Sequence, residues 1–541
     1  MSRNIRSLSS RKGLKDNIFG QLNEAAKLDG SPSDEALNKL AHETILSPAI
    51  TYGSASFYDF LEPGNKGCKT WACHGTACLV SNTIAEPKDQ ISEQCGESLC
   101  VGYCYKGGGL LSKNDGGEFS THHHHNGNNT KPPMPVYNFA ATPILTGETS
   151  DISNLYDVAL QKHEEIGHQL DLSKLRGRGG AGFPFAFKLM ACAKEVSDQK
   201  YIVCNADEGD PGAFSDRYLL EQHPHKVMSG MYAAAVASGA DRCILYIRRE
   251  YPEAIAIVHE AIDAYKKIPE RISSRITFHI IEGAGSYVCG EETALLNSIE
   301  GLRPEVRTRP PYPAAYGLWG KPTIVSNVET FANIPWILEN GGESFAAIGT
   351  KDSPANPGST GTKLISLDSS FTRPGLYEVD FGTRFQDLVY SMAGGFEREI
   401  KALQVGGPLG SIIPIDKIEG IIIDFNQFQR AGFALGHAGI IAIPEDFPLI
   451  DLLRHLFSYM AHESCGKCTP CRVGTAKGAQ ILASASPDNP VDHGLMMELL
   501  DVLETGSLCA LGGGLPLPVH NALQHFKTEL QSHFSNWGET S

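Results

Sequence analysis

Residues 463–472 read E-S-C-G-K-C-T-P-C-R, which places Cys465, Cys468 and Cys471 on a C-x2-C-x2-C spacing. Three thiolates this close together can bind three corners of one metal cluster, and Cys509 is the only cysteine later in the chain. Four thiolates suit a [4Fe–4S] cluster, whereas structural zinc sites usually show two separated cysteine pairs. The stretch therefore predicts a [4Fe–4S] cluster held by these four cysteines. Three buried or disulfide-bonded cysteines are the alternative.

Size and composition limit the class of protein. The 541 residues are enough for roughly three to five domains. A net charge of −16 argues against a nucleic-acid partner. The sequence contains no run of 18 apolar residues, so we expect no membrane span. The 14 cysteines, without a secretory signal, favour reduced and metal-bound thiols over a disulfide framework. We therefore expect a cytoplasmic protein.

A second set of cysteines lies near the N-terminus. Cys73 and Cys78 have four residues between them, and Cys100 and Cys104 have three. Two such pairs can supply the four thiolates of a [2Fe–2S] cluster. Paired cysteines also form structural zinc sites, so the spacing alone leaves both metals open.

A polar stretch follows these cysteines. Residues 113–150 contain the run His122–His125, the tetrapeptide N-G-N-N and Pro132-Pro133. Such composition is typical of a linker, and we expect the histidines to lie in a solvated loop.

A glycine-rich loop opens the next block. Gly177, Gly179 and Gly182 in L-R-G-R-G-G-A-G-F-P satisfy the G-x-G-x-x-G dinucleotide pattern. That pattern should follow a hydrophobic strand, but Gln161–Lys174 is polar and helix-like. We therefore reject an ordinary Rossmann turn. Such a loop before a helix can still hold a phosphate through backbone N–H groups.

Polar side chains then follow a buried strand. The strand Tyr201–Cys204 leads into Asn205, Asp207, Glu208 and Asp210. The carboxyl ends of parallel strands are where α/β proteins bind ligands. The sequence therefore predicts a binding site here, with an acidic surface turn as the alternative.

Further elements complete the pattern. The expected strands are Cys243–Ile247, Thr277–Ile281, Lys363–Leu367, Gly375–Val379 and Ile421–Ile423, with a helix over Phe385–Ala393. From residue 447 onward the periodicity is helical.

Six motifs together resemble one family closely. They are R-G-R-G-G-A-G-F-P (176–184), N-A-D-E-G-D-P-G-A-F (205–214), G-A-G-S-Y-V-C-G-E-E-T (283–293), K-P-T-I-V-S-N-V-E-T (321–330), Q-V-G-G-P-L-G (404–410) and E-S-C-G-K-C-T-P-C-R-V-G-T (463–475). The chain resembles the NADH-binding flavoprotein subunit of respiratory complex I and its soluble relatives, the diaphorase subunits of NAD-dependent formate dehydrogenases and NAD-reducing hydrogenases. Residues 20–111, with A-S-F-Y-D-F and both cysteine pairs, resemble the thioredoxin-like [2Fe–2S] subunit that accompanies this flavoprotein.

The resemblance implies an α/β multidomain fold. Its parts are a helical segment plus thioredoxin-like [2Fe–2S] domain (1–112), a linker (113–150), a Rossmann-like FMN- and NAD(H)-binding α/β domain (151–345), a small β-grasp-like (SLBB) domain (346–440) and a C-terminal helical bundle with the [4Fe–4S] cluster (441–541).

The resemblance also implies the site residues. FMN is expected to contact Gly177, Arg178, Gly179, Gly180, Lys188, Asn205, Asp207, Gly290 and Asn327. NAD is expected to contact Phe183, Glu208, Asp210, Tyr287, Glu292, Arg309 and Tyr312, with Glu208 and Asp210 positioning the nicotinamide. No general acid or base is expected, because hydride passes directly to the flavin, so catalysis consists of alignment.

Several stretches most resemble the β subunit of NAD-dependent formate dehydrogenases, among them L-Q-V-G-G-P-L-G and S-L-C-A-L-G-G-G-L-P-L-P-V. The resemblance implies a hetero-oligomer in which a partner subunit oxidises formate and further subunits carry iron–sulfur clusters. The alternatives are the diaphorase subunit of an NAD-reducing or bifurcating hydrogenase, a complex I subunit, or a cluster-bearing scaffold whose flavin site is degenerate.

Overall fold

The computed structural model of the chain describes residues 18–27, 30–83, 95–125, 128–148, 151–351 and 358–537. Residues 1–17 of the first predicted domain lie outside this range. The described chain begins with three helices, α1 (Ile18–Ala26), α2 (Asp34–Glu43) and α3 (Pro48–Ala55). Helix α2 is capped by Ser33, whose hydroxyl accepts from the backbone N–H of Ala36 at 3.2 Å.

A five-stranded sheet carries the first cysteines. Its elements are β1 (Thr70–Cys73), α4 (Thr76–Val80), β2 (Cys95–Ser98), β3 (Gly109–Lys113), β4 (Phe119–His125) and β5 (Asn128–Thr130). The strand order is β2-β1-β3-β4-β5. Strands β1 and β2 are parallel, and the other pairs are antiparallel.

The predicted linker is wrong for residues 113–130, because β4 and β5 belong to this sheet. The histidine run lies in β4, and His124 Nδ1 is 2.8 Å from Asn129 Oδ1 in β5. Buried Thr121 donates through its backbone N and its hydroxyl to Glu253, at 3.0 and 2.9 Å. The polar groups of β4 thus find hydrogen-bond partners that include residues distant in sequence, although the composition of this strand is typical of a loop.

The connecting segment, residues 131–148, is fastened to a later sheet. Its strand β6 (Val136–Asn138) pairs in parallel with residues 376–378. The buried carboxylate of Glu378 accepts from the backbone N–H groups of Ile144, Leu145 and Thr146 at 2.8, 2.9 and 2.7 Å. This connection is therefore ordered by backbone pairing and by a buried charge.

The central module is a parallel sheet covered by helices. Its elements are α5 (Ile152–Gln161), α6 (Ile166–Ser173), α7 (Phe185–Lys194), β7 (Tyr201–Ala206), α8 (Ser215–Gln222), α9 (Pro224–Ser238), β8 (Arg242–Ile247), α10 (Pro252–Tyr265), α11 (Glu270–Ser273), β9 (Thr277–Glu282), α12 (Glu292–Ile299), α13 (Pro313–Tyr316), β10 (Thr323–Asn327), α14 (Val328–Asn340) and α15 (Gly342–Ala346). The strand order is β10-β7-β8-β9, all parallel. The predicted strands at 201–204, 243–247 and 277–281 are confirmed.

The N-terminal helices pack on this central sheet. The rings of Phe19 in α1 and Tyr246 in β8 stack with centroids 6.5 Å apart. Tyr58 and Ser298 in α12 share a hydrogen bond of 2.8 Å between their hydroxyls. The helical segment therefore contributes to the core of the central module.

The next module is a mixed six-stranded sheet. Its elements are β11 (Thr362–Leu367), β12 (Gly375–Asp380), a π-helix (Asp387–Met392), β13 (Ile400–Val405), β14 (Ser411–Pro414), α16 (Phe425–Arg430) and β15 (Gly439–Pro444). The order is β14-β13-β15-β11-β12-β6. The predicted strand Ile421–Ile423 is wrong, because this segment makes only an isolated bridge between Ile422 and Arg384.

The C-terminal module is helical, as predicted. Its elements are α17 (Leu449–Glu463), α18 (Thr469–Ala483), β16 (Val491–Asp492), α19 (His493–Gly506), α20 (Ala510–Gly513), α21 (Pro516–His525), α22 (Lys527–Leu530) and β17 (Phe534–Ser535). Strands β16 and β17 pair in parallel. Within the described ranges, no helix is long and apolar enough to cross a membrane.

One helix crossing in the central module depends on a glycine. Helices α9 and α14 pack against each other at Gly230, where an added Cβ would lie 1.9 Å from the carbonyl oxygen of Phe331. Neither backbone can move away freely, because both helices are buried along much of their length. Only glycine fits at this crossing.

We expect Gly230→Ala to destabilise the protein by about 3 kcal/mol or more, because the methyl group would force the two helices apart. The matched control is Gly20→Ala in α1, where an added Cβ meets nothing within 4 Å. That variant should be neutral or more stable by up to about 1 kcal/mol. Thermal unfolding of both variants measures the difference. A wild-type melting temperature for Gly230→Ala would contradict the close crossing.

Candidate functional site

The four C-terminal cysteines surround one cavity. Cys468 precedes the first residue of α18, Cys509 precedes α20, and Cys465 lies in the loop after α17. Together with Cys471 and apolar side chains they line one small cavity. The structure thus brings together all four thiols that the spacing selected.

The chemistry of this cavity fits a cationic metal cluster. Burial raises the pKa of Cys471 to about 11 and that of Cys509 to about 12. Thiolates in such surroundings are costly unless a metal cation compensates them. Val288, Val306 and Leu511 complete a mostly apolar wall.

The N-terminal cysteines also converge. Cys73 at the end of β1, Cys78 in α4, Cys100 and Cys104 are all buried. The Sγ atoms of Cys100 and Cys104 are 3.7 Å apart. The thiol of Cys73 interacts with those of Cys78 and Cys100, which raises the pKa of Cys73 well above its usual range. Four such thiols fit either metal that the spacing left open.

The loop after β7 touches this N-terminal set. The backbone N–H of Gly212 donates to Cys104 Sγ at 3.3 Å. The guanidinium of Arg248 donates to the carbonyl oxygens of Glu208 and of Cys100, the latter at 2.9 Å. The same loop therefore joins the carboxyl end of the central sheet to the segment that carries Cys100 and Cys104.

The predicted flavin residues meet at the ends of β7 and β10. Asn205 and Asn327 are register partners on these adjacent strands. Asn205 Nδ2 donates to the carbonyl oxygen of Gly290 at 2.8 Å, and a Cβ on Gly179 would lie 3.1 Å from Asn327 Cβ. Four separate segments thus meet at one edge of the sheet, as expected for a ligand site of a parallel sheet.

The loop after β7 holds a buried polar atom that a ligand would satisfy. Asp207 Oδ2 is buried and has no hydrogen-bond partner among the described residues. Burial raises the pKa of this carboxyl group to about 8. Unsatisfied buried oxygens are uncommon in proteins, and a ligand with N–H or O–H donors, such as a flavin, would satisfy this one.

The glycine-rich loop lies between α6 and α7, so the rejection of an ordinary Rossmann turn is confirmed. The backbone N–H of Gly177 donates to the carbonyl oxygen of Phe183 at 2.8 Å and closes the loop. Gly180 and Gly182 have φ values of 115° and 58°, which side-chain-bearing residues rarely adopt. These two glycines therefore allow the backbone conformation of the loop.

Arg178 differs from its neighbours in this loop. Its side chain is fully buried and donates to the carbonyl oxygen of Thr360 at 2.6 Å. The guanidinium lies 4.6 Å from the ring centroid of Phe381. Arg178 therefore fastens the glycine-rich loop to the six-stranded module, and only its main chain remains near the edge of the sheet.

Glu208 is likewise turned inward. Its carboxylate accepts from Ser215 Oγ at 3.2 Å, from the backbone N–H groups of Asp216 and Arg217 at 3.0 and 3.1 Å, and from Tyr251 OH at 3.1 Å. These donors mark it as a buried cap of the first turn of α8. The side chain thus supports the loop from behind.

Asp210 and Tyr287 form a pair, with Tyr287 OH donating to Asp210 Oδ1 at 2.7 Å. The backbone N–H of Tyr287 donates to Glu463 Oε2 at 2.7 Å. Tyr459 donates from its hydroxyl to the carbonyl oxygen of Gly209 at 3.3 Å. This pair therefore connects the loop after β7 to the end of α17, two residues before Cys465.

The remaining predicted residues lie around an exposed rim. Glu292 accepts from Lys188 Nζ at 3.0 Å and from Arg309 at 2.9 Å. Phe183 and Tyr312 are 46% and 60% exposed. Phe187, which is 68% exposed, lies 5.8 Å from Phe183 between ring centroids and was not predicted. Large exposed rings beside charged groups are typical of a binding surface.

Arg248, His437 and Tyr459 were also missed from sequence. The position of Arg248 directly after β8 was the one available signal, since that strand also ends at the binding edge. His437 and Tyr459 reach the loop after β7 from the six-stranded and C-terminal modules. No local pattern marks either residue.

Two family models match the chain. Residues 170–336 match the Nuo51 FMN-binding domain, and residues 451–533 match the NADH-ubiquinone oxidoreductase-F iron-sulfur binding region. The first covers the glycine-rich loop and the ends of β7 and β10. The second covers all four cysteines of the C-terminal cavity.

Known proteins with similar sequences or structures support the same family. The F 2 subunit of the NADH-quinone oxidoreductase of Rhizobium meliloti (strain 1021) is 39% identical over 383 residues, covering 68% of this chain and 89% of that protein. The HndC subunit of the NADP-reducing hydrogenase of Solidesulfovibrio fructosivorans is 40% identical over 379 residues, covering 68% and 76%. An NAD+-reducing [NiFe]-hydrogenase structure in the air-oxidized state aligns with a TM-score of 0.82 at 26% identity, covering 99% of this chain and 95% of that one. The chain therefore belongs to the family of NADH-quinone oxidoreductase F subunits, with their FMN-binding domain and iron–sulfur region.

Proposed function

We propose that this chain is the NAD(H)-dependent diaphorase subunit of a cytoplasmic NAD-dependent formate dehydrogenase complex. The supporting observation is the loop after β7, which contacts the N-terminal cysteine set directly and is linked through Tyr287 to the segment that carries the C-terminal set. Gly212 donates to Cys104 Sγ at 3.3 Å, and Tyr287 joins this loop to Glu463, two residues before Cys465. A two-electron site lying between two clusters can distribute electrons singly.

FMN supplies the group that accepts a hydride and gives up electrons one at a time. The chain would hold it with Gly177, Gly179, Gly180, Asn205, Asp207, Gly290 and Asn327, with Arg178 contributing its main chain and Lys188 lying at the rim. These residues bind and orient, and Asp207 Oδ2 offers a buried acceptor. Alignment alone can contribute a large part of such a rate enhancement.

NAD would bind along the exposed rim. Phe183 and Tyr312 offer rings for stacking, while Arg309 and Lys188 offer positive charge beside Glu292. Asp210 and Tyr287 lie at the inner end. Glu208 would position the nicotinamide indirectly, by fixing the loop that carries Asp210.

The two cysteine sets complete the route. Cys465, Cys468, Cys471 and Cys509 would hold the [4Fe–4S] cluster, and Cys73, Cys78, Cys100 and Cys104 a [2Fe–2S] cluster. No two cysteines form a disulfide bond within the part of the chain that the structure describes. The resemblance of residues 20–111 to a [2Fe–2S] subunit favours iron over zinc in the N-terminal set.

The formate partner is supported by the stretches L-Q-V-G-G-P-L-G and S-L-C-A-L-G-G-G-L-P-L-P-V. The second candidate is the diaphorase subunit of an NAD-reducing hydrogenase. The similarity of the hydrogenase structure over 99% of this chain favours it. In either case a partner subunit would carry the formate or hydrogen chemistry.

Cofactor analysis of anaerobically purified protein tests the electron route. We expect about six irons and one FMN per chain, and signals of reduced clusters in electron paramagnetic resonance after NADH is added. About four irons with FMN would leave the N-terminal set without a [2Fe–2S] cluster. Zinc in place of two irons would identify the alternative metal. Absence of FMN would favour the alternative of a cluster-bearing scaffold whose flavin site is degenerate.

Cys468→Ser should remove the [4Fe–4S] cluster, about four irons per chain, while NADH still reduces the flavin. Electron transfer from the flavin to the partner subunits should stop, because the proposed route passes through this cluster. The matched control is Cys192→Ser, which changes a buried cysteine of α7 outside both sets. Normal turnover of the complex carrying Cys468→Ser would contradict the proposed role of this cluster.

The complex isolated through this chain from its own cells distinguishes the two partners. We expect formate to support NAD+ reduction and hydrogen gas to support none. Activity with hydrogen alone would replace the formate dehydrogenase assignment with the hydrogenase one and leave the diaphorase role intact.

A further inference from the structure

His437 brings a third module to the predicted flavin edge. It lies in the turn Leu435–Ala438 just before β15, and the N–H of Ala438 donates to the carbonyl oxygen of Leu435 at 3.0 Å. A Cβ on Gly180 would lie 3.6 Å from the backbone N of His437. The turn therefore packs directly on the glycine-rich loop.

The imidazole of His437 lies between two buried carboxylates. Its Nε2 is 3.4 Å from Asp216 Oδ2 and 3.6 Å from Glu208 Oε1. His437, Asp216 and Glu208 are 6%, 2% and 3% exposed. Two carboxylates so close together in the interior repel each other, and a cation between them removes that cost.

Asp216 links this ion group to the flavin edge. The same oxygen, Oδ2, accepts from Asn327 Nδ2 at 2.6 Å. Asn327 also caps α14, because its Oδ1 accepts from the backbone N–H of Glu329 at 2.9 Å. A change in the charge of His437 would therefore reach Asn327 through Asp216, which contacts both residues.

The surroundings favour the charged imidazole. Burial would lower the pKa of His437, but Asp216 and Glu208 together raise it to about 9. The other charged groups that face it are Asp210 in the loop after β7 and Lys363 of β11, which is itself paired with Glu329 of α14. The carboxylates outnumber the amine, so a cation is stabilised near neutral pH.

We propose that His437, as an imidazolium held by Asp216 and Glu208, is a positioning residue that keeps Asn327 and the loop after β7 in place and raises the midpoint potential of bound FMN. A fixed positive charge behind the flavin edge stabilises the added electrons. This inference rests on the proposed placement of FMN at that edge.

The test is a spectroelectrochemical titration of FMN in the purified chain, comparing wild type with His437→Gln. The neutral amide should lower the ratio of reduced to oxidised flavin at a fixed potential roughly tenfold, which is about 30 mV for a two-electron couple. His437→Lys, which retains a cation, should restore the ratio. An unchanged midpoint potential in His437→Gln with FMN bound would overturn the proposal.

The matched control is His455→Gln. Burial lowers the pKa of His455 to about 4, so that imidazole is already neutral. Its replacement should leave the FMN potential unchanged, and an equal shift there would overturn the charge argument. Wild-type protein that binds no FMN would instead contradict the proposed function.

Two further measurements test the proposal if a variant does not fold or does not bind FMN. If His437→Gln does not fold or loses FMN, His437→Lys decides, because a lowered potential despite the retained cation would overturn the proposal. If both fail, the wild-type potential measured against pH decides. Loss of the imidazolium above pH about 9 should steepen the fall of the potential with pH. A constant slope through that range would overturn the proposal.

Discussion

The guanidinium of Arg248 fixes the place where the modules of this protein meet. It is buried, and it donates to the carbonyl oxygens of Glu208 and Cys100 and to the carboxylate of Glu250, the last at 2.6 Å. A buried guanidinium that lost these acceptors would leave an uncompensated charge in the interior, which costs several kcal/mol. The loop after β7 and the segment of Cys100 are therefore held in one mutual arrangement.

Contacts from other modules hold the loop after β7 as well. On one side Gly212 contacts a cysteine of the five-stranded sheet, and on another Tyr459 contacts Gly209 from α17. The turn that carries His437 contacts the same loop through Glu208. Residues that the sequence places hundreds of positions apart thus share one electrostatic environment, in which burial keeps each interaction strong.

Sequence patterns predicted those parts of the site that lie within one short segment of the chain. The cysteine spacing at 465–471 and the polar residues Asn205 and Asp207 at the end of β7 are identifiable because one short segment carries each signal. The histidine run has the composition of a loop, and its strand structure is not predictable locally because a partner of β4, Glu253, lies far along the chain. Glu208 was predicted to contact NAD because its position at a strand end is visible in the sequence, whereas its four hydrogen-bond donors are not. The assignment of individual residues to FMN and NAD and the thioredoxin-like and β-grasp-like domain types stay predictions.

The pairing of β6 with the six-stranded sheet has a consequence for assembly. The cysteine-bearing sheet is joined to the central module by a segment whose backbone is itself docked through Val136–Asn138 and Glu378. Dissociation of that sheet would be intramolecular, so its effective concentration beside the loop after β7 does not fall on dilution. A two-chain arrangement of the same parts would separate at low protein concentration. Here the stoichiometry of the two cysteine sets is fixed at one to one by the chain itself.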